Sequence, residues 1–149
     1  MDLILWRHAE AQEWTQGCDD MARRLTVRGE KQAKRMAEWL DRQLPHNTRI
    51  LVSPAVRTEQ TAGALGRKFK LRSELAPDAT VAQLLALVQW PQAKGTVLVV
   101  GHQPTLGQTI AELIGLRSSE CTVKKGAVWW LHQRQNETML LTVQSPDLL

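Results

Sequence analysis

Short apolar runs alternate with longer amphipathic stretches along this chain. Leu3-Ile4-Leu5-Trp6, Ile50-Leu51-Val52 and Val97-Leu98-Val99-Val100 are continuous apolar runs. Runs this short, with no polar residue interleaved, predict strands buried on both faces. Between them the period lengthens. Ala33, Met36, Ala37, Leu40 and Leu44 recur at helical spacing, with Thr26 placed to cap the start and Pro45 at the exit. Ala55, Val56, Ala62, Leu65 and Phe69 predict a second helix, and Val81, Leu84, Leu85 and Val88 a third between Thr80 and Gln89. Pro104 opens a fourth, bearing Leu106, Ile110, Leu113 and Ile114, and Gly115 suits its end. Ala127 to His132 and Thr138 to Val143 read as strands joined by the polar Arg134-Gln135-Asn136-Glu137, an antiparallel hairpin.

Three buried strands, each followed by a helix, predict a mostly parallel sheet covered on both faces. The hairpin adds antiparallel strands at the C-terminal end. The expected fold is therefore a three-layer α/β/α sandwich, and 149 residues suit a single domain over 1–149. Six tryptophans stand against one Phe and no Tyr. Trp39 and Trp90 are expected in or near the core, Trp14 near the mouth of any site, and Trp129 and Trp130 on opposite sheet faces.

Open sheets of this kind bind ligands beyond the carboxyl ends of their strands. Arg7-His8 follows the first apolar run, Ser53-Pro54-Ala55-Val56-Arg57-Thr58 the second, and Gly101-His102 the third. Parallel strands would bring Arg7, His8, Arg57 and His102 to one edge. Each guanidinium offers a fork of donors matched to phosphate oxygens. A neutral imidazole attacks phosphorus near neutral pH, and a second, protonated, stabilises the charge that develops. Such a site binds phosphate or another oxyanion and calls for no metal or other cofactor.

Composition narrows the partners. A net charge of +4 is compatible with an anionic substrate but too weak to imply nucleic acid. The first apolar run is far too short for a membrane span or a signal-peptide core. Cys18 and Cys121 have neither metal-ligand spacing nor the look of a disulfide framework. These features predict a soluble cytoplasmic monomer. Asp19-Asp20 reads as a solvated loop, and His46 and His132 as ordinary side chains. Arg28, Lys31, Arg35 and Arg42 form one helical stripe, read as a solvated face supported by Glu30–Lys34 and Glu38–Arg42 pairs.

At the strand ends the chain resembles the histidine phosphatase superfamily, which also contains the cofactor-dependent phosphoglycerate mutases. The resemblance rests on Arg7-His8-Ala9, Leu25-Thr26-Val27-Arg28-Gly29, Ser53 through Thr61, and Gly101-His102. It spans Leu3 to about Pro104. The short length and the Val56-Arg57-Thr58-Glu59-Gln60-Thr61 helix start look most like the SixA-type phosphohistidine phosphatases. The resemblance implies that His8 is the nucleophile that becomes phosphorylated, with Arg7, Arg57 and His102 around the phosphate. It also implies an arginine before the Leu-Thr pair, either Arg23 or Arg24, with Arg23 favoured. Two departures stand out. Ala9 replaces the family's glycine and is tolerable at negative φ. The proton donor falls to Asp78, with Glu74 as its rival. The implied substrate is phosphohistidine on a partner protein, such as a phosphotransfer domain. The alternatives are a phosphatase for small phosphoesters or sugar phosphates and, less favoured, a non-catalytic phosphate-binding module. A short chain leaves little for a lid, so the site is expected to be shallow and open.

Overall fold

The computed structural model describes residues 1–149. In chain order the elements are β1 (Asp2–Arg7), α1 (Val27–Gln43), β2 (Arg49–Val52), α2 (Val56–Gly63), β3 (Lys70–Leu71), α3 (Val81–Val88), β4 (Thr96–Gly101), α4 (Thr105–Ile114), β5 (Val128–Arg134) and β6 (Glu137–Gln144). The strands form one six-stranded sheet in the order β3-β2-β4-β1-β5-β6. The first four are parallel, β5 runs antiparallel beside β1, and β6 runs antiparallel to β5 at the edge. This is the predicted mixed α/β sandwich.

Side-chain alternation along the strands divides the core into two layers. Leu3, Leu5, Leu51, Val97 and Val99 face α3 and α4, where they meet Leu84, Val88, Leu106 and Ile110. Ile4, Trp6, Ile50, Val52, Leu98 and Val100 face α1 and α2, where they meet Met36, Ala37, Leu40 and Ala62. The central strands are thus apolar on both sides, which is why they read as continuous runs. Trp129 packs in the first layer and Trp130 in the second. Trp130 meets Trp39 edge-on with ring centroids 6.4 Å apart.

Local chemistry fixes the ends of the helices. The Thr26 hydroxyl accepts from the Gly29 amide at 3.0 Å and caps α1. Thr80 and Gln83 form a reciprocal capping box at the start of α3. Gly115 takes the left-handed conformation, φ 69°, that closes α4. Between β5 and β6, Gln135 and Asn136 both have positive φ, 50° and 63°. Two such residues in sequence give a tight turn whose twist suits a hairpin.

Two expectations are corrected. The second helix does not run to Phe69. It stops at Gly63, Gly66 adopts φ +71°, and the chain turns into the short strand β3. Two glycines within four residues remove helical preference, and Phe69 joins the core from outside the helix. Nor do the Glu30–Lys34 and Glu38–Arg42 ion pairs form. Arg28 instead approaches Glu10 at 3.9 Å, and Arg35 donates to the Pro146 carbonyl at 3.3 Å.

Candidate active site

The three parallel strands β1, β2 and β4 end side by side, with Arg7 in register with Gly101 and Val52 with Val100. The residues that follow them come together. His8 hangs between neighbours: its amide donates to the Gly101 carbonyl at 3.2 Å, and its carbonyl accepts from the Gly126 amide at 3.0 Å. The His8 and His102 rings lie 5.4 Å apart, centroid to centroid. His8 is 6% exposed, Arg57 3% and His102 3%. These side chains are therefore largely shielded from solvent.

The hydrogen bonds fix the tautomer of each ring. His8 Nδ1 lies 2.7 Å from the carbonyl of Ala9. A carbonyl only accepts, so Nδ1 carries the proton and Nε2 keeps its lone pair. His102 Nδ1 faces the Arg57 Nη2 donor at 3.4 Å, and Nε2 lies 2.7 Å from the Ser53 hydroxyl. A guanidinium only donates, so His102 Nδ1 is the acceptor and Nε2–H donates to Ser53. Burial, then the charge of Arg57, pushes the His102 pKa down to about 3. Burial also pushes His8 down to about 3, partly offset by its bond to Ala9 and reinforced by Arg57, Arg7 and Arg23. Both rings are thus neutral at pH 7 in this site. For His102 the cause is that burial beside an arginine disfavours a second positive charge while no oxyanion is bound.

Arg7 and Arg57 are both desolvated, which lowers their pKa values. Arg7 Nη1 donates to the Val123 carbonyl at 2.8 Å. Arg57 is held from the loop between β1 and α1: Nη1 donates to the Asp20 carbonyl at 2.7 Å, and Nη2 to its carboxylate at 3.1 Å. The Nε–H of each arginine is buried without a partner. Arg23 binds the same carboxylate at 2.9 Å and the Gln12 carbonyl at 2.8 Å. It lies within electrostatic reach of both His8 and Arg57, whereas Arg24 is exposed. Of the two candidates, Arg23 is the one at the site.

Three residues of this site were not singled out by the sequence reading as functional. Asp20 is the ion-pair partner of both Arg23 and Arg57 rather than part of a solvated loop. Burial raises its pKa, but the nearby arginines outweigh this and leave it below the ordinary carboxylate range. Ser53, fully buried, sets the tautomer of His102. Thr61 accepts from the Ala9 amide at 3.1 Å and donates to the Arg57 carbonyl at 2.7 Å, tying α2 to the residue after His8. Only the Ser53-to-Thr61 motif hinted at any of them. The Asp20–Arg57 pair joins residues 37 apart, which no local pattern reveals.

The backbone accommodates Ala9. This residue is fully buried and is absent from the positive-φ positions, so its methyl group causes no strain. The two candidate acids differ. Glu74 is hydrogen-bonded to Arg72 at 2.6 Å, which holds its carboxyl below the usual range. Asp78 is exposed, and its side chain makes no hydrogen bond. The adjacent Ala79 carbonyl accepts from Thr105 at 2.7 Å, which ties that loop to the first turn of α4. Trp14 is 56% exposed and donates to the Cys18 carbonyl at 2.9 Å. His132 pairs with Asp2, which also accepts from Trp130, and lies outside the site.

The sequence model of the histidine phosphatase superfamily (branch 1) matches residues 3–80. The chain belongs to that superfamily. It is 35% identical over 121 residues to the phosphohistidine phosphatase SixA of Escherichia coli K12, covering 76% of this chain and 74% of that one. A SixA homolog of Haemophilus influenzae is 32% identical over 133 residues, covering 79% and 80%. The solved structure of the protein histidine phosphatase SixA complexed with tungstate superposes with a TM-score of 0.80, at 28% identity and 99% coverage of both chains. The superfamily model ends before His102, yet the fold carries this histidine to within 5.4 Å of His8. The chain is thus a histidine-phosphatase-superfamily phosphatase. No helix in it is long and apolar enough to cross a membrane.

Proposed function

We propose that the chain is a phosphohistidine phosphatase acting on a partner protein through a phosphorylated His8. The observation that carries this reading is the environment of His8. Its Nε2 lone pair is free because Nδ1–H is bound to Ala9, and the buried, unpartnered Nε–H groups of Arg7 and Arg57 are donors left for an oxyanion.

His8 Nε2 attacks phosphorus while the phosphorus–nitrogen bond of the substrate breaks. The leaving imidazole takes its proton from solvent and departs as a neutral ring. Water then attacks the phosphoryl group, the bond to Nε2 breaks, and inorganic phosphate leaves. Arg7 and Arg57 hold the equatorial oxygens, with Arg23 at the edge. His102 is neutral before the substrate binds. A bound dianion offsets the arginine charge, so Nδ1 takes up a proton and donates to a phosphoryl oxygen. Ser53 keeps Nε2–H occupied and aims Nδ1 at the phosphate.

The choice of phosphohistidine over an ester rests on the acids. An alkoxide leaving group needs a protonated carboxyl near the site. Asp20 and Glu74 are both held ionised by arginines, and Asp78 stands exposed without a partner. A leaving imidazole needs no such acid, since free imidazole titrates at about 6.5. The substrate of the related SixA proteins agrees with this choice. Two cysteines that form no disulfide fit a reducing cytoplasm.

The test is to trap the intermediate. Rapid acid-free quench of the protein mixed with a 32P-labelled phosphohistidine protein is expected to give an acid-labile, alkali-stable label on His8. Label on another residue, or none within a single turnover, contradicts the covalent route.

A further inference from the structure

Positive charge is also concentrated at the β3 edge of the sheet. Arg49, Lys68, Lys70 and Arg72 line one cleft of about 480 Å³ beside β2 and β3, with Ile50, Leu51 and Phe69 in its walls. No Asp or Glu lines it. Arg72 is paired with Glu74, but Arg49, Lys68 and Lys70 are exposed and have no carboxylate partner. A cleft lined by one sign of charge concentrates the counter-charge. None of these residues belongs to the phosphate site, although Arg72 lies beside the end of β2, its amide donating to the Val52 carbonyl at 2.8 Å.

We propose that this cleft binds a nucleoside polyphosphate. Its phosphates would lie against Arg49, Lys68, Lys70 and Arg72, and its base against Phe69. Three features select that ligand. Several cations around one cleft call for more than one negative charge. The half-buried ring of Phe69 in its wall calls for a planar or apolar part as well, which a bare polyphosphate lacks. An acidic peptide added to the sheet edge is disfavoured, because β3 is only two residues long and offers little backbone to pair with. The cleft volume lies in the range of small-molecule sites, about 300–1,000 Å³.

The test is an NMR titration of the whole protein with ATP and, separately, with inorganic triphosphate. ATP is expected to shift the amides of Thr48 to Leu51 and Lys68 to Arg72 saturably, at concentrations that leave Arg7 to Glu10 unmoved. The Lys68→Glu/Lys70→Glu variant is expected to bind ATP at least tenfold more weakly and to keep its phosphatase activity. Phe69→Leu is expected to weaken ATP and leave triphosphate unchanged. Lys68→Gln/Lys70→Gln serves the same purpose should the charge reversal impair folding. Triphosphate binding as tightly as ATP, shifts confined to the His8 site, or an unchanged affinity in both double variants overturns the proposal. Because binding is read without turnover, its failure is separable from failure of the phosphatase reading.

Discussion

The tautomers decide what each histidine can do. His8 holds its proton on Nδ1 against Ala9 and offers Nε2, while His102 holds its proton on Nε2 against Ser53 and turns Nδ1 to Arg57. His8→Ala removes the attacking atom and no core contact. It is expected to lower kcat by at least about 10⁴ while the thermal unfolding transition stays cooperative. Arg57 has two of its nitrogens engaged by Asp20 and His102 and a third, Nε, unpartnered. Arg57→Lys is expected to cost about 10²–10³ in kcat, nearly as much as Arg57→Ala, since a point charge cannot reproduce the fork. Near-full activity in Arg57→Lys would show that guanidinium geometry is not used. Ser53→Ala frees the Nε2 proton of His102. It is expected to lower kcat about 10- to 100-fold with little change in KM, by analogy with groups that orient metal-bound histidines. A Ser53→Ala enzyme whose kcat and pH profile match the wild type contradicts the positioning role.

Elements matter here through where they end. Gly29 sits in the first turn of α1, and a Cβ there would lie 1.9 Å from the Glu10 carbonyl oxygen. That close approach brings α1 against the loop after His8, where the Thr26 hydroxyl also binds the Glu10 carboxylate at 2.7 Å. Gly29→Ala must therefore push α1 away from the segment that carries His8. The expected result is a loss of about 1–3 kcal/mol in stability together with reduced turnover, read by urea unfolding and activity. Unchanged unfolding and activity would mean that the contact is not needed. The strands bearing Arg7, His8, Ser53 and His102 were legible in the sequence because they are apolar on both faces and abruptly polar where they end. Strand β3 was not. Its two residues, Lys70 and Leu71, are both exposed, so burial left no pattern to read. Asp20 was hidden for a different reason: its partner Arg57 lies across the fold, and only the tertiary structure brings the two together.

For the molecule as a whole, the buried histidines predict how stability depends on pH. Both rings have folded pKa values near 3, against about 6.5 for free histidine. Above pH 6.5 neither the folded nor the unfolded chain protonates them, and they contribute no slope. Below it the unfolded chain takes up protons that the folded chain refuses, so stability falls. The loss is about 1.4 kcal/mol per pH unit for each histidine and continues towards pH 3. Asp20 adds to the loss only at lower pH, because its depressed pKa stabilises the fold above the ordinary carboxylate range. Thermal melts are expected to drop steadily from pH 6.5 to pH 5, and His102→Gln is expected to halve the slope. A melting temperature that stays flat over this interval contradicts the burial of both neutral rings. The choice of phosphohistidine over a phosphoester is decided by competing the two kinds of substrate. The measurement is kcat/KM for a phosphohistidine protein and for sugar and alkyl phosphates under the same conditions, with and without EDTA. Phosphohistidine is expected to be preferred by at least about a hundredfold, and EDTA to change nothing. Asp78→Asn is expected to slow the residual ester hydrolysis more than phosphohistidine hydrolysis. A wild type that prefers a sugar or alkyl phosphate, and loses that activity in Asp78→Asn, would contradict the phosphohistidine substrate.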